Sequence, residues 1–403
     1  MPSTLRRKHH QELTLRKSFL EAMRVKLSLF RRPSDKSSPR PTETWRRDYN
    51  SSYEPYYHAS SIIRPPLAYY PPHSIRNLPP ELLAYIFVMG SEDDPILPLT
   101  ITHICRFWRV LALNTPLLWR RVVLGSYYSM WRETMYRARA CTLDIEFKSP
   151  GRYGSLAFYE VQRYMHLVIP QIRRWRSLSI VFSDYQPYLW NAALSECCSR
   201  NNHTQVPELE ELCLVYRHND DTKEFCLFSG YAPSLRRVTI DGIRLTWLPS
   251  LFQNLRYLDY IHHGWTNGSH AIQEVSNILR VSSRLAELRI LFPVKKYRPR
   301  LNHRISPDFE TIYLPRLESL HLRVNSQDIP EELISLASLF ETPRLSDLHL
   351  VDSRQRQRAF PNVNIFWTLY PIPPLLRTVH LQHGWFEAAR YFSQFASIVQ
   401  GQL

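Results

Sequence analysis

The sequence predicts an α/β protein in which a small bundle of three helices precedes a solenoid of repeated strand-and-helix units. Three observations support this fold class. Short, strongly apolar segments lie between residues 75 and 124, an apolar triplet recurs from residue 140 onwards, and residues 1–74 carry neither pattern. We therefore expect a disordered arm over 1–74, a helical domain over 75–124 and a repeat domain over 125–403.

Composition narrows the class of protein. The 403 residues carry a formal net charge of +15, and 44% of them are hydrophobic. No apolar run is long enough to span a membrane, which takes about 20 residues. The six cysteines form no C-x-x-C pair and are expected to be reduced, mostly buried thiols. These features predict a protein of the cytoplasm, the nucleus or both.

The N-terminal arm supplies about half of the excess positive charge. Eight prolines lie between Pro33 and His73, without apolar periodicity, and predict a disordered linker. Two interpretations of residues 10–32 stay open. One is a basic amphipathic helix with a membrane-surface or targeting role, and the other, which we favour, is a solvated and partly helical tail.

The helical domain begins with a segment that is apolar nearly all round, from Leu82 to Met89. Prolines at its start and Gly90 at its end predict a helix that stops near Met89, followed by a turn-rich connection over 91–98. We expect one side of this helix to pack on its own domain and the other to contact a partner chain.

Two further helices are expected after that connection. The first is predicted from apolar spacing and the second, over 117–119, from the break at 114–116. The residues of the first are Ile101, Ile104, Cys105, Trp108, Leu111 and Ala112.

These three segments resemble an F-box, in the variant frequent in large fungal F-box families. The resemblance covers about 50 residues and implies binding to a Skp-family adaptor and, through it, to a cullin. The matching residues are Leu78, Pro79, Glu81, Leu82, Ile86, Phe87, Ile104, Cys105, Trp108, Arg109, Pro116, Leu118 and Trp119. The predicted adaptor-binding residues are Leu78, Pro79, Glu81, Leu82, Leu83, Ile86, Phe87, Cys105, Trp108 and Trp119.

The repeat domain is predicted from an apolar triplet with members at positions one, four and six. Five of the seven clear copies have a proline two residues before the first member, which we expect to open each strand. Candidate helices between copies are 274–284 and 331–340. The triplets begin at Leu209, Leu235, Leu255, Leu285, Leu317, Leu345 and Leu376, with two earlier copies at Ala140 and Trp175.

This pattern resembles a degenerate leucine-rich repeat. The Asn or Cys that usually follows the strand is absent from most copies, and Asn325 is the one match at that offset. The family resemblance implies a stack of parallel strands whose open face binds a protein.

Strand alternation predicts which side chains reach that face. The residue between positions four and six is histidine in the last three copies, and neighbouring strands lie about 4.8 Å apart, so a stacked ladder is expected. Such a ladder could serve as a pH-sensitive or anion-binding strip, or be a coincidence of an exposed surface. The candidate substrate-face residues are Glu211, Arg237, Tyr257, Glu287, Arg289, His321, His349 and His380.

Other clusters carry weaker signals. We interpret the acidic residues 92–94 as a solvated loop in preference to a cation site. The histidine pairs at 262–263 and 380/383 are weak candidates for zinc sites, because they lack cysteine partners at suitable spacing. The basic stretches at 295–304 and 354–358 favour solvated loops over nucleic-acid contacts. No nucleophile, phosphate-loop or zinc-protease motif is present. We expect no catalytic residue, metal or cofactor.

Together, the two resemblances imply a non-catalytic, substrate-recognition subunit of a ubiquitin ligase. A scaffold that binds the adaptor without delivering a substrate, and a basic repeat protein that binds nucleic acid, remain alternatives. The identity of the substrate is not encoded in any readable pattern.

Overall fold

The computed structural model describes residues 75, 78–125, 127–148, 157–198, 204–292, 309–354, 358–386 and 399–402. The chain forms two compact units, Met1–Gly90 and Ser91–Leu403. The predicted arm, including residues 10–32, lies outside the described residues.

Helices and parallel strands alternate along the described chain. The α-helices are α1 (Pro80–Asp93), α2 (Leu97–Thr102), α3 (Arg106–Leu113), α4 (Tyr128–Arg137), α5 (Phe158–Val168), α6 (Leu189–Leu194), α7 (Pro249–Phe252), α8 (Gly268–Val281), α9 (Glu331–Ser338) and α10 (Val363–Leu369). Short 3₁₀ turns include Pro116–Trp119 and Ile169–Arg174.

The strands are β1 (Arg121–Leu124), β2 (Leu143–Lys148), β3 (Trp175–Phe182), β4 (Glu211–Tyr216), β5 (Glu224–Phe225), β6 (Arg237–Asp241), β7 (Arg244–Leu245), β8 (Tyr257–Ile261), β9 (Glu287–Phe292), β10 (Ile312–Tyr313), β11 (Ser319–Val324), β12 (Phe340–Glu341), β13 (Asp347–Asp352), β14 (Thr378–Gln382) and β15 (Val399–Gln402).

One large parallel sheet dominates the second unit. Within the described residues it has 11 strands, in the order β1-β2-β3-β4-β6-β8-β9-β11-β13-β14-β15. Each strand of this sheet therefore pairs with the sheet strands that precede and follow it along the chain, and β1 and β15 lie at its edges. Parallel neighbours need a crossover connection, and the intervening helices and turns provide it. This is an α/β fold with a solenoid-like sheet, as the sequence predicts.

The apolar triplet sets the register of the sheet. Leu258 on β8 pairs with Val238 on β6 and with Leu288 on β9, so equivalent motif positions lie side by side. These three side chains are fully buried. Because side chains alternate along a strand, one face of the sheet forms a continuous apolar core and the other stays half-exposed. We call the second face the open face.

Two residues at the first position of the triplet are not fully buried. Ala140 is exposed and Leu376 is only partly buried, whereas the other first-position side chains are buried.

The prolines before the motif have a different position from the one predicted. They do not open the strands. Pro315, for example, lies inside a turn closed by the Leu317 N–H, which donates to the Leu314 carbonyl over 3.3 Å. Strand β11 begins only at Ser319. Proline fits the second position of such a turn because its φ angle is already near the required value. The same i→i+3 hydrogen bond closes the turns that contain Pro207, Pro233, Pro343 and Pro374.

The first helix is longer than predicted. Helix α1 continues through Gly90 to Asp93, so Gly90 is not a left-handed cap. Gly90 is buried, and the residues with positive φ lie elsewhere in the described chain. Residues 91–93, which the sequence placed in a turn, complete the helix.

The predicted second helix is divided into α2 and α3. The chain leaves helical geometry after Thr102 and re-enters it at Arg106. Cys105 has extended backbone angles, and its Sγ accepts a hydrogen bond from the Trp108 N–H over 3.4 Å. Cysteine therefore caps α3, and Ile104 and Cys105 are exposed instead of lying on a buried helical face.

The remaining helix predictions agree better with the structure. The break at 114–116 ends α3, and Pro116–Trp119 forms the expected third turn of helix. Helices α8 and α9 cover most of the two candidate segments between repeats. Strands β1 and β15 were not predicted, because neither carries the complete triplet.

Candidate partner-binding surfaces

Helix α1 has both buried and exposed apolar side chains. Leu83 and Phe87 are buried, and their spacing of four residues places them on one side of the helix. Leu82 and Tyr85 are exposed. The remaining predicted residues of this segment vary in exposure: Pro79 and Glu81 are exposed, and Leu78 and Ile86 are intermediate.

Helix α3 carries an exposed apolar stripe in the second unit. Phe107 and Val110 are 52% and 58% exposed, and Leu113 follows three residues later. Ile104 before the helix and Leu117 after it are also exposed. Large apolar side chains grouped in this way on a surface mark an interaction site. We call these five residues the α3 stripe.

Polar contacts on the inner side of α3 hold the stripe in place. The Arg109 Nε donates to the Thr102 carbonyl over 2.7 Å. The Trp119 Nε1 donates to the Ala112 carbonyl over 2.9 Å, and both Trp119 and Ala112 are buried. Helix α3 is thus tied to α2 and to the turn Pro116–Trp119, so its exposed side chains lie on a fixed backbone.

The residues predicted to bind the adaptor in this region differ in exposure: some are accessible on the surface and one is buried. Cys105 is exposed and Trp108 is partly exposed, so both are accessible to a partner. Trp119 is buried, and its contribution is to the packing of the helices. Phe107, Val110 and Leu113 were not among the residues predicted to bind a partner. They are spaced three residues apart, which is typical of one side of a helix, but the prediction had assigned a different side of this helix to the apolar face.

On the open face of the sheet, an aromatic ring lies between two guanidinium groups. Arg237 on β6, Tyr257 on β8 and Arg289 on β9 come from neighbouring strands. The Arg237 Cζ lies 4.2 Å from the centroid of the Tyr257 ring, and the Arg289 Cζ lies 5.4 Å from it. Cations over an aromatic face are attracted by its negative potential.

Carboxylates pair with both of these arginines. Arg289 bonds Glu287 over 2.7 Å, and Arg237 lies 3.7 Å from Glu211. The five predicted substrate-face residues in this part of the sheet therefore form one cluster of alternating charge around Tyr257. Such a surface has no single sign of charge.

The three histidines form the ladder that strand alternation predicts. The rings of His321 and His349 stack with centroids 4.0 Å apart and an interplanar angle of 1°. The rings of His349 and His380 are 4.3 Å apart. Their strands β11, β13 and β14 are consecutive in the sheet, with the three histidines in register.

The electrostatics of the ladder oppose an anion-binding role. Burial, the neighbouring His349 and the nearby Arg289 lower the pKa of His321 to about 3. Burial also lowers the pKa of His349, with His380 acting in the same direction. Both imidazoles are therefore neutral near pH 7, and they offer nitrogen donors and acceptors instead of positive charge.

Metal-ligand clusters are not found among the described residues, where no group of three or more His, Cys, Asp or Glu side chains is arranged to hold an ion. His262 is buried, and its Nε2 lies 2.9 Å from the Thr266 hydroxyl. The His263 Nε2 lies 3.0 Å from the Asn219 carbonyl oxygen. Asp94 accepts from the Ile96 N–H in a local turn. The histidine pair and this aspartate thus have structural partners.

The other predicted basic and thiol groups are less informative. The basic stretch at 295–304 and Arg356 lie outside the described residues, and the Arg354 Nε donates to Asn325. All six cysteines are free thiols, but the expectation that most are buried is wrong: only Cys197 is buried, and Cys105 and Cys226 are exposed.

The chain was compared with known proteins. No model of a protein family matches the sequence. No curated protein matches it either. In the part of the chain that the structure describes, none of the helices combines the length and the apolarity needed to cross a membrane.

Proposed function

We propose that this protein is the substrate-recognition subunit of a Skp–cullin–F-box type ubiquitin ligase. The α3 stripe is the observation that carries the proposal. Its five exposed apolar residues lie in the segment that resembles an F-box, and Leu82 and Tyr85 of α1 are exposed in the same segment. The protein itself performs no chemistry in this proposal and acts in the cytoplasm or the nucleus.

The energetics of the stripe are compatible with adaptor binding. Burying a large apolar side chain contributes about 1.5–3 kcal/mol. A few well-packed anchors of this kind dominate the free energy of most protein interfaces. Phe107 and Val110 are the most exposed of the stripe and have the most area to lose, so we assign them as its central anchors.

In the same proposal, the open face of the sheet binds the protein substrate. The mixed charges around Tyr257 and the neutral histidine ladder favour a partner read by hydrogen bonds and aromatic contact. A strongly charged substrate is not favoured on this face, because each arginine beside Tyr257 already has a carboxylate neighbour.

The test of adaptor binding uses the double variant Phe107→Asp with Val110→Asp. Two carboxylates cannot be buried without a large desolvation cost, so we expect co-purification of a Skp-family adaptor to be lost. The matched control is Ile365→Asp, because Ile365 is 51% exposed on α10, in a different part of the chain. Adaptor retained by the double variant would contradict the proposal.

A second variant addresses the start of α1. We expect Leu78→Ala combined with Pro79→Ala to abolish adaptor co-purification while the sheet remains folded, as judged by circular dichroism. An adaptor that still co-purifies would exclude this segment from the interface.

Substrate delivery needs a separate measurement. If the protein is a ligase subunit, proteins captured by the open face should accumulate when the gene is deleted. Unchanged turnover of every captured protein, with the adaptor still bound, would instead identify a non-degradative scaffold.

A further inference from the structure

A cleft rich in arginine lies beside α4. It has a volume of about 840 Å³ and is lined by side chains of α4, of the end of α3 and of the turn Ile169–Arg174. Its charged lining consists of Arg132, Arg137, Arg139 and Arg174 against Glu133 alone. The cleft is therefore strongly positive.

Two of these arginines are available to a ligand. The side chains of Arg132 and Arg139 are exposed and have no ion pair or hydrogen bond within the described residues. Arg139 has a positive φ of 49°, in the left-handed region, which is uncommon for a residue with a Cβ. It follows the end of α4, so the chain turns sharply where this guanidinium is presented.

The other two arginines are fixed by neighbours. Arg137 bonds Glu133 over 2.9 Å, and its Cζ lies 4.6 Å from the Trp119 ring centroid. The Nε and Nη2 of Arg174 donate to the Cys141 carbonyl over 3.0 and 2.6 Å, and its Nη1 donates to Gln171. These bonds hold both guanidinium groups in place.

Among the described residues, the hydrogen-bond partners of the Arg174 side chain are all neutral groups. Burial lowers the pKa of Arg174 from its ordinary value, and Cys141 opposes this shift. A partly buried cation without an acidic neighbour is stabilised by any anion that enters the cleft.

Apart from Gln171, the rest of the lining is apolar or aromatic. Leu113, Met135 and Leu167 lie between the arginines, and Tyr136 is exposed at the side. The space is larger than a single inorganic anion fills, and the apolar part offers contact to carbon atoms of a bound chain. Arginine pairs with carboxylates through two parallel hydrogen bonds.

We propose that this cleft binds an acidic peptide segment of a partner protein, with at least one apolar side chain beside its carboxylates. The carboxylates contact Arg132 and Arg139, and the apolar side chain lies on Leu113, Met135 and Leu167. This binding differs from substrate capture on the open face. Leu113 of the α3 stripe also lines the cleft, so the cleft adjoins the proposed adaptor site, whereas Arg132 and Arg139 lie outside the stripe and test the cleft independently.

The test measures the binding of short fluorescent peptides to the purified full-length chain by anisotropy. The probe contains Glu and Asp with one central Leu. Companion probes carry Lys in place of the acidic residues, or Ser in place of the Leu. We expect the acidic probe with Leu to bind best, the Ser probe more weakly and the Lys probe not at all.

The diagnostic variant is Arg132→Glu with Arg139→Glu. It should lower the affinity for the acidic probe by about tenfold or more. The matched control is Arg236→Glu with Arg358→Glu, which makes the same change in net charge at exposed arginines elsewhere. Arg132→Lys with Arg139→Lys keeps the charge but removes the paired hydrogen bonds, and its affinity should be intermediate.

Two results would overturn the proposal. One is equal loss of affinity in the diagnostic and control variants, which would indicate a nonspecific effect of net charge. The other is a single-stranded oligonucleotide that binds through Arg132 and Arg139 more tightly than the acidic peptide. Because the assay uses the chain alone, failure of the adaptor experiment leaves its outcome unaffected.

Discussion

Gly242 lies where the backbone leaves no room for a Cβ atom. It follows β6 with a φ of +79°, and a Cβ atom there would lie 1.9 Å from the Tyr216 carbonyl oxygen. Its own carbonyl accepts from the Trp190 Nε1 over 2.8 Å and from the Asn219 Nδ2 over 2.6 Å. Glycine is therefore required for both the φ angle and the close approach.

We predict that Gly242→Ala lowers the free energy of unfolding by about 3 kcal/mol or more, because backbone strain adds to a clash with backbone atoms. Gly268→Ala is the matched control. Gly268 has a φ of +54° but open space around its Cβ position, so the cost should be about 1 kcal/mol. Equal losses in urea denaturation would contradict the role of the Tyr216 contact.

His321 predicts a pH dependence of stability. Its pKa is about 3 in the folded chain, whereas an unfolded histidine titrates near 6.5. The unfolded chain therefore binds a proton below about pH 6.5 that the folded chain does not, and stability is lost as the pH falls from about 6.5 towards 3.

We predict that His321→Gln reduces the loss of unfolding free energy between about pH 7 and pH 4.5 by more than about 1 kcal/mol. His270→Gln, at an exposed position on α8, is the control and should leave the loss unchanged. The measurement is urea denaturation at both pH values. An equally steep loss in His321→Gln would show that this imidazole titrates normally.

The unit of construction is a turn followed by a strand. In each of the clear copies, the first-position leucine closes an i→i+3 turn, and the residues at positions four and six enter the core three and five residues after the first. The sequence pattern contains all of these residues. It did not reveal the turn, because a proline before an apolar run is compatible with either a strand start or a turn.

Leu317 and Leu376 occupy the same position in two copies but differ in burial. Both close a turn with a bond of 3.3 Å, whereas only Leu317 is fully buried. We predict that Leu317→Ala costs about 3 kcal/mol and Leu376→Ala about 1 kcal/mol, since the cavity left in a closed core adds to the lost transfer free energy. Similar losses in thermal or urea unfolding would show that the turn, and not the core, determines the cost.

Helix α3 illustrates where element prediction fails. The apolar spacing around Cys105 is typical of one continuous helix, yet the chain breaks there and a thiol caps the new helix. The cap depends on the extended backbone at Cys105, which spacing alone does not encode. The exposed stripe was missed for the same reason, because the face assigned to the core was rotated relative to the real one.

The whole sheet is built from contacts between sequential neighbours. Strand β9 pairs with β8 and β11 and with no other strand in the described chain. In arrays of this kind, stability is approximately a sum of local terms and nearest-neighbour terms. Damage to one strand should therefore spread only to adjoining strands.

We predict that Leu288→Ala, near the start of β9, raises amide hydrogen exchange in β8, β9 and β11 and leaves β1 and β2 unchanged. Hydrogen exchange followed by mass spectrometry measures this directly. A uniform rise across all strands would instead show that the sheet opens as a single cooperative unit.

The parallel strands that carry the triplet, their register and the histidine ladder are all predictable from the sequence. The reason is that a triplet that repeats along the chain places equivalent residues side by side once strands follow chain order. The exposure of apolar side chains on α1 and α3 and the convergence of four arginines on one cleft became visible only in the folded chain. Exposure and convergence depend on how helices rotate and pack, and distant segments of the chain supply that information.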